Sequence, residues 1–287
     1  MKKICLTMIV RQEAKNMIRL LDSLKNILDY ISITDTGSTD NTIEIIENWC
    51  KKNNKNFKIH SIKCPEFINF GKNRTLSYKN AKKDFPDTDY FLLSDADFVW
   101  KINDNFDKNK LNKDCYLVKQ FFPRFNTEHI NIRLISNKIN WICKLITHEY
   151  WTSLKNNHST DILNNIYIED MDDGGFKQSK SIRDKTLIKK ELNENENLDD
   201  NDKSRYYFYL GNTLKSLGEY EEAIDYYNKH YIISNYQSEK FCSQKYSGEC
   251  YIFLFQKLLF LISEEKEINF NSYKEGYKKA LFYFVEG

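Results

Sequence analysis

No stretch of this chain approaches the ~18 apolar residues of a membrane span; the most apolar later segment, Phe253 to Ile262, falls well short. C-x-x-C pairs are also absent. The seven cysteines (Cys5, Cys50, Cys64, Cys115, Cys143, Cys242 and Cys250) are scattered and odd in number. That argues against structural zinc and a dense disulfide framework. It fits reduced thiols in a cytoplasmic protein. Charge of one sign is lacking too, with 43 basic against 41 acidic side chains and a formal net charge of +2. Such balance excludes a broad nucleic-acid footprint but leaves room for a local phosphate site. A cleavable leader is not expected either. Met1-Lys2-Lys3 precedes an apolar stretch to Val10, but the stretch is short and Arg11, Glu13 and Lys15 break it. It reads as a first strand.

What is present can bury a core: 41% of the 287 residues are hydrophobic and 15% aromatic, enough for one large domain or two modest ones. Strands are expected over 4–10, 30–34, 57–62 and 90–94. Helices are expected over 16–28, 39–50 and 73–83, the second capped by Ser38 or Asp40. Strand and helix alternate, so the fold class is α/β with a mostly parallel mixed sheet. Ligands on such sheets bind beyond the carboxyl ends of the strands. Three polar clusters fall there: Arg11-Gln12-Glu13, Asp35-Thr36-Gly37-Ser38-Thr39-Asp40 and Asp95-Ala96-Asp97.

The last cluster is the most informative. The apolar run Tyr90 to Leu93 ends in two carboxylates spaced two apart, a spacing that places side chains on one face of a strand. Two carboxylates at close range repel unless a cation lies between them. A hard divalent cation, in turn, partners phosphate. The plainer reading is a solvated Asp-Ala-Asp turn. The Asp35 cluster likewise reads as a tight turn, with Gly37 permissive and Ser38 or Asp40 capping a helix.

Taken in order, several motifs resemble family 2 glycosyltransferases of the GT-A nucleotide-sugar-binding fold. They are Leu6 to Glu13, Asp35 to Thr42, Phe70-Gly71-Lys72-Asn73-Arg74 and Leu92 to Asp97. Arg133-Leu134, Trp141, His148-Glu149-Tyr150, Asp173-Gly174-Gly175-Phe176-Lys177 and Arg183-Asp184 follow. One departure is Gln12-Glu13, where the family more often carries Asn-Glu. The resemblance implies a metal-dependent, inverting transfer from a nucleoside-diphosphate sugar, UDP-linked, with Mn2+ or Mg2+ as cofactor. It implies Asp97 as direct metal ligand, with Asp95 contacting the metal through water or the ribose. His148 would complete the metal site. Val10, Glu13, Asp35, Gly37, Arg74 and Ala96 would line the nucleotide-sugar site: Asp35 accepts from the base, Glu13 from ribose or base, and Arg74 leans toward the diphosphate. Lys177, with Lys180 and Arg183, would close over that diphosphate or form a solvated helix face. The base is sought among Glu149, Asp172 and Asp173, with Glu149 first.

The polar, acidic segment Asn193 to Asp202 reads as a linker, which divides the chain into a catalytic domain over 1–192 and a helical domain over 193–287. Beyond it, Tyr207, Leu210, Gly211, Leu214, Gly218, Tyr220, Ala223 and Tyr227 follow a tetratricopeptide-like spacing, and Tyr277, Ala280 and Phe284 repeat part of it. The chain stops at Gly287, inside or just after a helical pattern, which leaves open whether it is a fragment of a longer protein. Expected partners are the donor, a protein or glycan acceptor, and a protein partner or second copy bound through the repeats. The alternative is a non-catalytic, partner-binding module built on a remnant transferase fold.

Overall fold

The computed structural model describes residues 1–62, 69–155, 157–174, 180–263 and 278. The chain divides into two compact units, Met1–Lys177 and Gln178–Gly287.

The first unit opens with the expected alternation: β1 (Ile4–Val10), α1 (Ala14–Leu24), β2 (Tyr30–Asp35), α2 (Thr42–Lys52), β3 (Asn56–Ser61), α3 (Phe70–Asp84) and β4 (Tyr90–Leu93). β5 (Phe98–Ile102), β6 (Cys115–Phe122) and β7 (Thr127–Ser136) follow. A small hairpin of β8 (Trp141–Lys144) and β9 (Tyr150–Ser153) precedes β10 (Thr160–Asp170). The main sheet has eight strands in the order β3-β2-β1-β4-β7-β6-β10-β5. Four of its pairings are parallel and three antiparallel. The sheet is mixed and mostly parallel, as the α/β expectation required.

β1 is apolar along nearly its whole length and buried, as befits a parallel strand covered on both faces. α1 turns Met17, Leu20, Leu21 and Leu24 inward at helical spacing, each fully buried. Burial of each such side chain contributes about 1.5–3 kcal/mol, so this face alone pins α1 to the sheet. At the start of α3, Asn69 accepts from the Lys72 amide through its side chain. Gly71 then lets the helix end touch other backbone. A Cβ there would stand 2.4 Å from the Leu145 carbonyl oxygen and 2.8 Å from that of Cys143.

The second unit holds α4 (Lys180–Glu194), α5 (Asp200–Ser216), α6 (Tyr220–Ile233) and α7 (Gln237–Ser263). The acidic segment expected to be a linker is different in kind. Asn193 and Glu194 end α4, while Asp199 caps α5 by accepting from the Asp202 amide at 2.7 Å. Asp200 and Asp202 occupy the first turn of α5, where acids complement the helix dipole. The two compact units divide at Lys177/Gln178.

Gly211 on α5 faces Tyr227 on α6, and a Cβ at Gly211 would lie 2.6 Å from the tyrosine ring. That ring is fully buried, and its hydroxyl donates to Asn212 Oδ1 at 2.8 Å. Gly211→Ala is expected to lower stability by about 1 kcal/mol, because overpacking of about 1–3 kcal/mol outweighs alanine's helix preference. A melting curve of the variant checks this; an unchanged or raised Tm contradicts it. Tyr277, Ala280 and Phe284 lie outside the described residues.

Candidate functional site

The loops after β1 and β2 are stitched together at the carboxyl edge of the sheet. Gln12 sits at φ +59° and Gly37 at +107°. The Gln12 side-chain oxygen accepts from the amides of Thr39 at 2.7 Å and Asp40 at 3.3 Å. Its own amide donates to Ser38 Oγ. Ser38 is thus spent on the neighbouring loop, and neither it nor Asp40 is the expected cap: Asn41 holds that position without a side-chain hydrogen bond, while Asp40 Oδ1 accepts from the Thr42 amide at 3.1 Å. Burial opposes the Asp40 charge, but the Thr42 hydrogen bonds hold its pKa below the usual carboxylate value. The departure at Gln12 thus places a side-chain amide that ties the two loops together.

Asp35 is buried at the end of β2, and both its oxygens accept from the Ser38 amide. This is the tight turn expected from the motif, and each oxygen keeps a second lone pair. Val10 and Ala96 are buried. The Val10 carbonyl accepts from the amide and hydroxyl of Thr36.

β4 ends at Leu93, so strand alternation does not govern Asp95 and Asp97, and the two contact different neighbours. Arg74 donates through a terminal nitrogen to Asp95 and through Nε to Glu149 Oε1 at 2.6 Å. The β8–β9 loop delivers Glu149, while α3, anchored at Gly71, delivers Arg74. Arg133 on β7 lies 3.7 Å from the other Asp95 oxygen and donates to Gln120 Oε1 at 2.6 Å. Gln120 in turn donates to Asp170 at 2.7 Å. Burial works against the Arg74 charge, but Asp95 and then Glu149 outweigh it and hold its pKa above the ordinary arginine value. Burial pulls the Arg133 pKa down, and Asp95 offsets only part of this. Burial also raises the Asp170 pKa against the hydrogen bonds it accepts from Asp172 and Gln120.

Asp97 lies on the other side of the motif. Its Oδ2 accepts from the Gly174 amide at 3.3 Å. A Cβ on Gly174 would lie 3.2 Å from that oxygen and 3.5 Å from Glu13 Oε1, so Glu13 and Asp97 share one neighbourhood. Among the described residues, no group of three or more His, Cys, Asp or Glu is gathered to hold a metal ion. A cation held jointly with a diphosphate takes only one or two protein carboxylates, and Asp97 with Glu13 nearby meets that requirement. Asp95 is engaged by Arg74 and lies 3.7 Å from Arg133. His148 is half-buried at φ +54°, in the loop before β9. Both Asp173 oxygens accept from Arg19, at 2.7 and 2.9 Å. Lys177 lies outside the described residues.

Sequence reasoning passed over Asn16, Arg19, Gln120 and Asp170. Asn16 is buried, and its side-chain amide donates to Glu13 Oε2 at 2.9 Å. A polar residue on the apolar stripe of α1 was the one available signal.

Residues 5–108 match glycosyl transferase family 2. The matched span carries Glu13, Asp35, Arg74, Asp95 and Asp97. The SPbeta prophage-derived glycosyltransferase SunS of Bacillus subtilis (strain 168) is 24% identical over 264 residues, 88% of this chain. Glycosyltransferase SunS of Bacillus phage SPbeta is similar to the same extent. The chain spans 57% of the length of these relatives. Among solved structures, S. aureus TarS is 14% identical with a TM-score of 0.44, over 88% of this chain and 49% of that one. TarS 1-349 in complex with UDP is 13% identical with a TM-score of 0.39, over 88% and 80%. The family match covers residues 5–108, and both curated relatives are glycosyltransferases. No described helix is long and apolar enough to cross a membrane.

Proposed function

We propose that this protein is an inverting, metal-dependent glycosyltransferase that takes its sugar from a UDP-linked donor. The observation that carries the reading is that Asp97 and Glu13 both lie beside Gly174 at the carboxyl edge of the sheet, inside the family-matched span. A Mn2+ or Mg2+ ion bound at Asp97 with the donor would neutralise the charge on the departing diphosphate. Asp35 fits the imide N–H of uracil, and Glu13 the ribose. Glu149 is the proposed base. Arg74 engages Oε1, which leaves Oε2 to take the proton of an acceptor nucleophile. As the acceptor attacks the anomeric carbon, its proton passes to Glu149 and the bond to the diphosphate oxygen breaks. His148 is proposed as a further ligand. The helices after residue 178, tetratricopeptide-like in spacing, would bind a protein acceptor or partner. The described cysteines are free and mostly buried thiols, which fits the cytoplasm.

The test is slow release of UDP from a panel of UDP-sugars without acceptor, together with stabilisation by UDP plus Mn2+. A rise of several degrees in Tm is expected on saturation at about 100 times Kd. If no donor is hydrolysed and no nucleotide stabilises the protein, a partner-binding module on a remnant fold replaces the enzyme.

A further inference from the structure

Arg19 on α1 has no role in the reading above, yet its guanidinium is aimed at the donor-site loop. Its two terminal nitrogens grip both Asp173 oxygens, at 2.9 and 2.7 Å. One of them also donates to Asn16 Oδ1 at 3.2 Å. Asn16 passes the connection on: its amide reaches Glu13 Oε2 at 2.9 Å and the Asp173 carbonyl at 3.3 Å. The loop so held lies on Asp97. The Met171 amide donates to the Asp97 carbonyl at 3.1 Å, and the Gly174 amide to its carboxylate. The Asp173 hydrogen bond is the main cause that raises the Arg19 pKa, against burial and with help from Asp97 and Glu13. A two-pronged arginine–carboxylate bond fixes orientation as well as charge.

We infer that Arg19 is a positioning residue: with Asp173 it seats the 171–174 loop on the Asp97 and Glu13 carboxylates, and Asp173 is the loop's anchor rather than the base. The lack of a side chain at Gly174 lets the loop backbone lie against both acids. Donor binding at Asp97 therefore depends on a pair that touches neither sugar nor acceptor. The kinetic half of this inference rests on the glycosyltransferase reading; the structural half does not.

The experiment compares wild type with Arg19→Met, Arg19→Lys, Asp173→Asn and the reversed pair R19D/D173R, all in the full chain. Amide exchange over Met171 to Gly174 is expected to quicken about tenfold in Arg19→Met and Asp173→Asn. Arg19→Lys, with a charge but no fork, should fall between. The reversed pair should restore slow exchange. Donor KM should rise about tenfold in the single variants with kcat within about threefold of wild type. Unchanged exchange in Asp173→Asn overturns the anchor. A collapse of kcat at constant KM, with loss of the acidic limb of the pH profile, would instead make Asp173 the base. If wild type fails to bind any nucleotide while exchange responds as expected, the donor reading falls and the anchor stands.

Discussion

Asp97→Asn is expected to lower sugar transfer by about 10²–10³-fold while leaving the fold intact. Asparagine keeps an oxygen to accept from the Gly174 amide, the contact Asp97 makes at 3.3 Å. It removes the charge that a cation shared with the donor diphosphate requires. The Mn2+-dependent part of UDP stabilisation should vanish with it. Asp95→Asn should behave differently, because Asp95 balances Arg74 and Arg133. Its loss should appear first as a lower Tm, with cation dependence retained. Transfer rate and Tm as functions of Mn2+ concentration, measured for both variants, separate the two roles. Equal loss of metal response in both would mean that the acids act on one ion. Full metal-dependent activity in Asp97→Asn would end the assignment.

The elements that proved legible were those with a local cause. The expected strands and helices up to Leu93 are present because apolar alternation and helical spacing are written in adjacent residues. The carboxyl-edge loops follow from that alternation. The acidic stretch near residue 200 was misread because composition alone does not separate a linker from a helix start. Only the position of Asp199 before Asp202 distinguishes them, through a side-chain bond to an amide. What stayed hidden were pairs far apart in sequence. Arg19 meets Asp173 across 154 positions and Arg74 meets Glu149 across 75. No periodicity records such meetings. They depend on where the β8–β9 hairpin and the end of β10 return to the sheet edge. Asp95 and Asp97 lie beyond Leu93, where strand geometry stops, and arginines from α3 and β7 meet the first acid.

Arg74→Met should therefore be the most damaging single change away from Asp97, at about 3 kcal/mol. One guanidinium serves two carboxylates, and its side chain is only 15% exposed. Methionine fills the volume but leaves Glu149 without the cation that engages it and Asp95 with the more distant Arg133, 3.7 Å away, so desolvation is compensated only in part. Partial access to water on the Asp95 side keeps the loss from being larger. Arg74→Lys should recover part of the charge but not both bonds, since a single ammonium lacks the rigid fork that spans Nε and a terminal nitrogen. A second change tests the cause. If unpaired charge is the source, Glu149→Gln should hurt Arg74→Met less than it hurts wild type, giving a coupling energy of about 1–2 kcal/mol in a double-mutant cycle. Additive losses, measured by denaturant unfolding of the four proteins, would place the damage in packing around α3 instead. In that case the close approach of Gly71 to the Leu145 carbonyl, at the same end of the helix, becomes what holds Glu149 at the site.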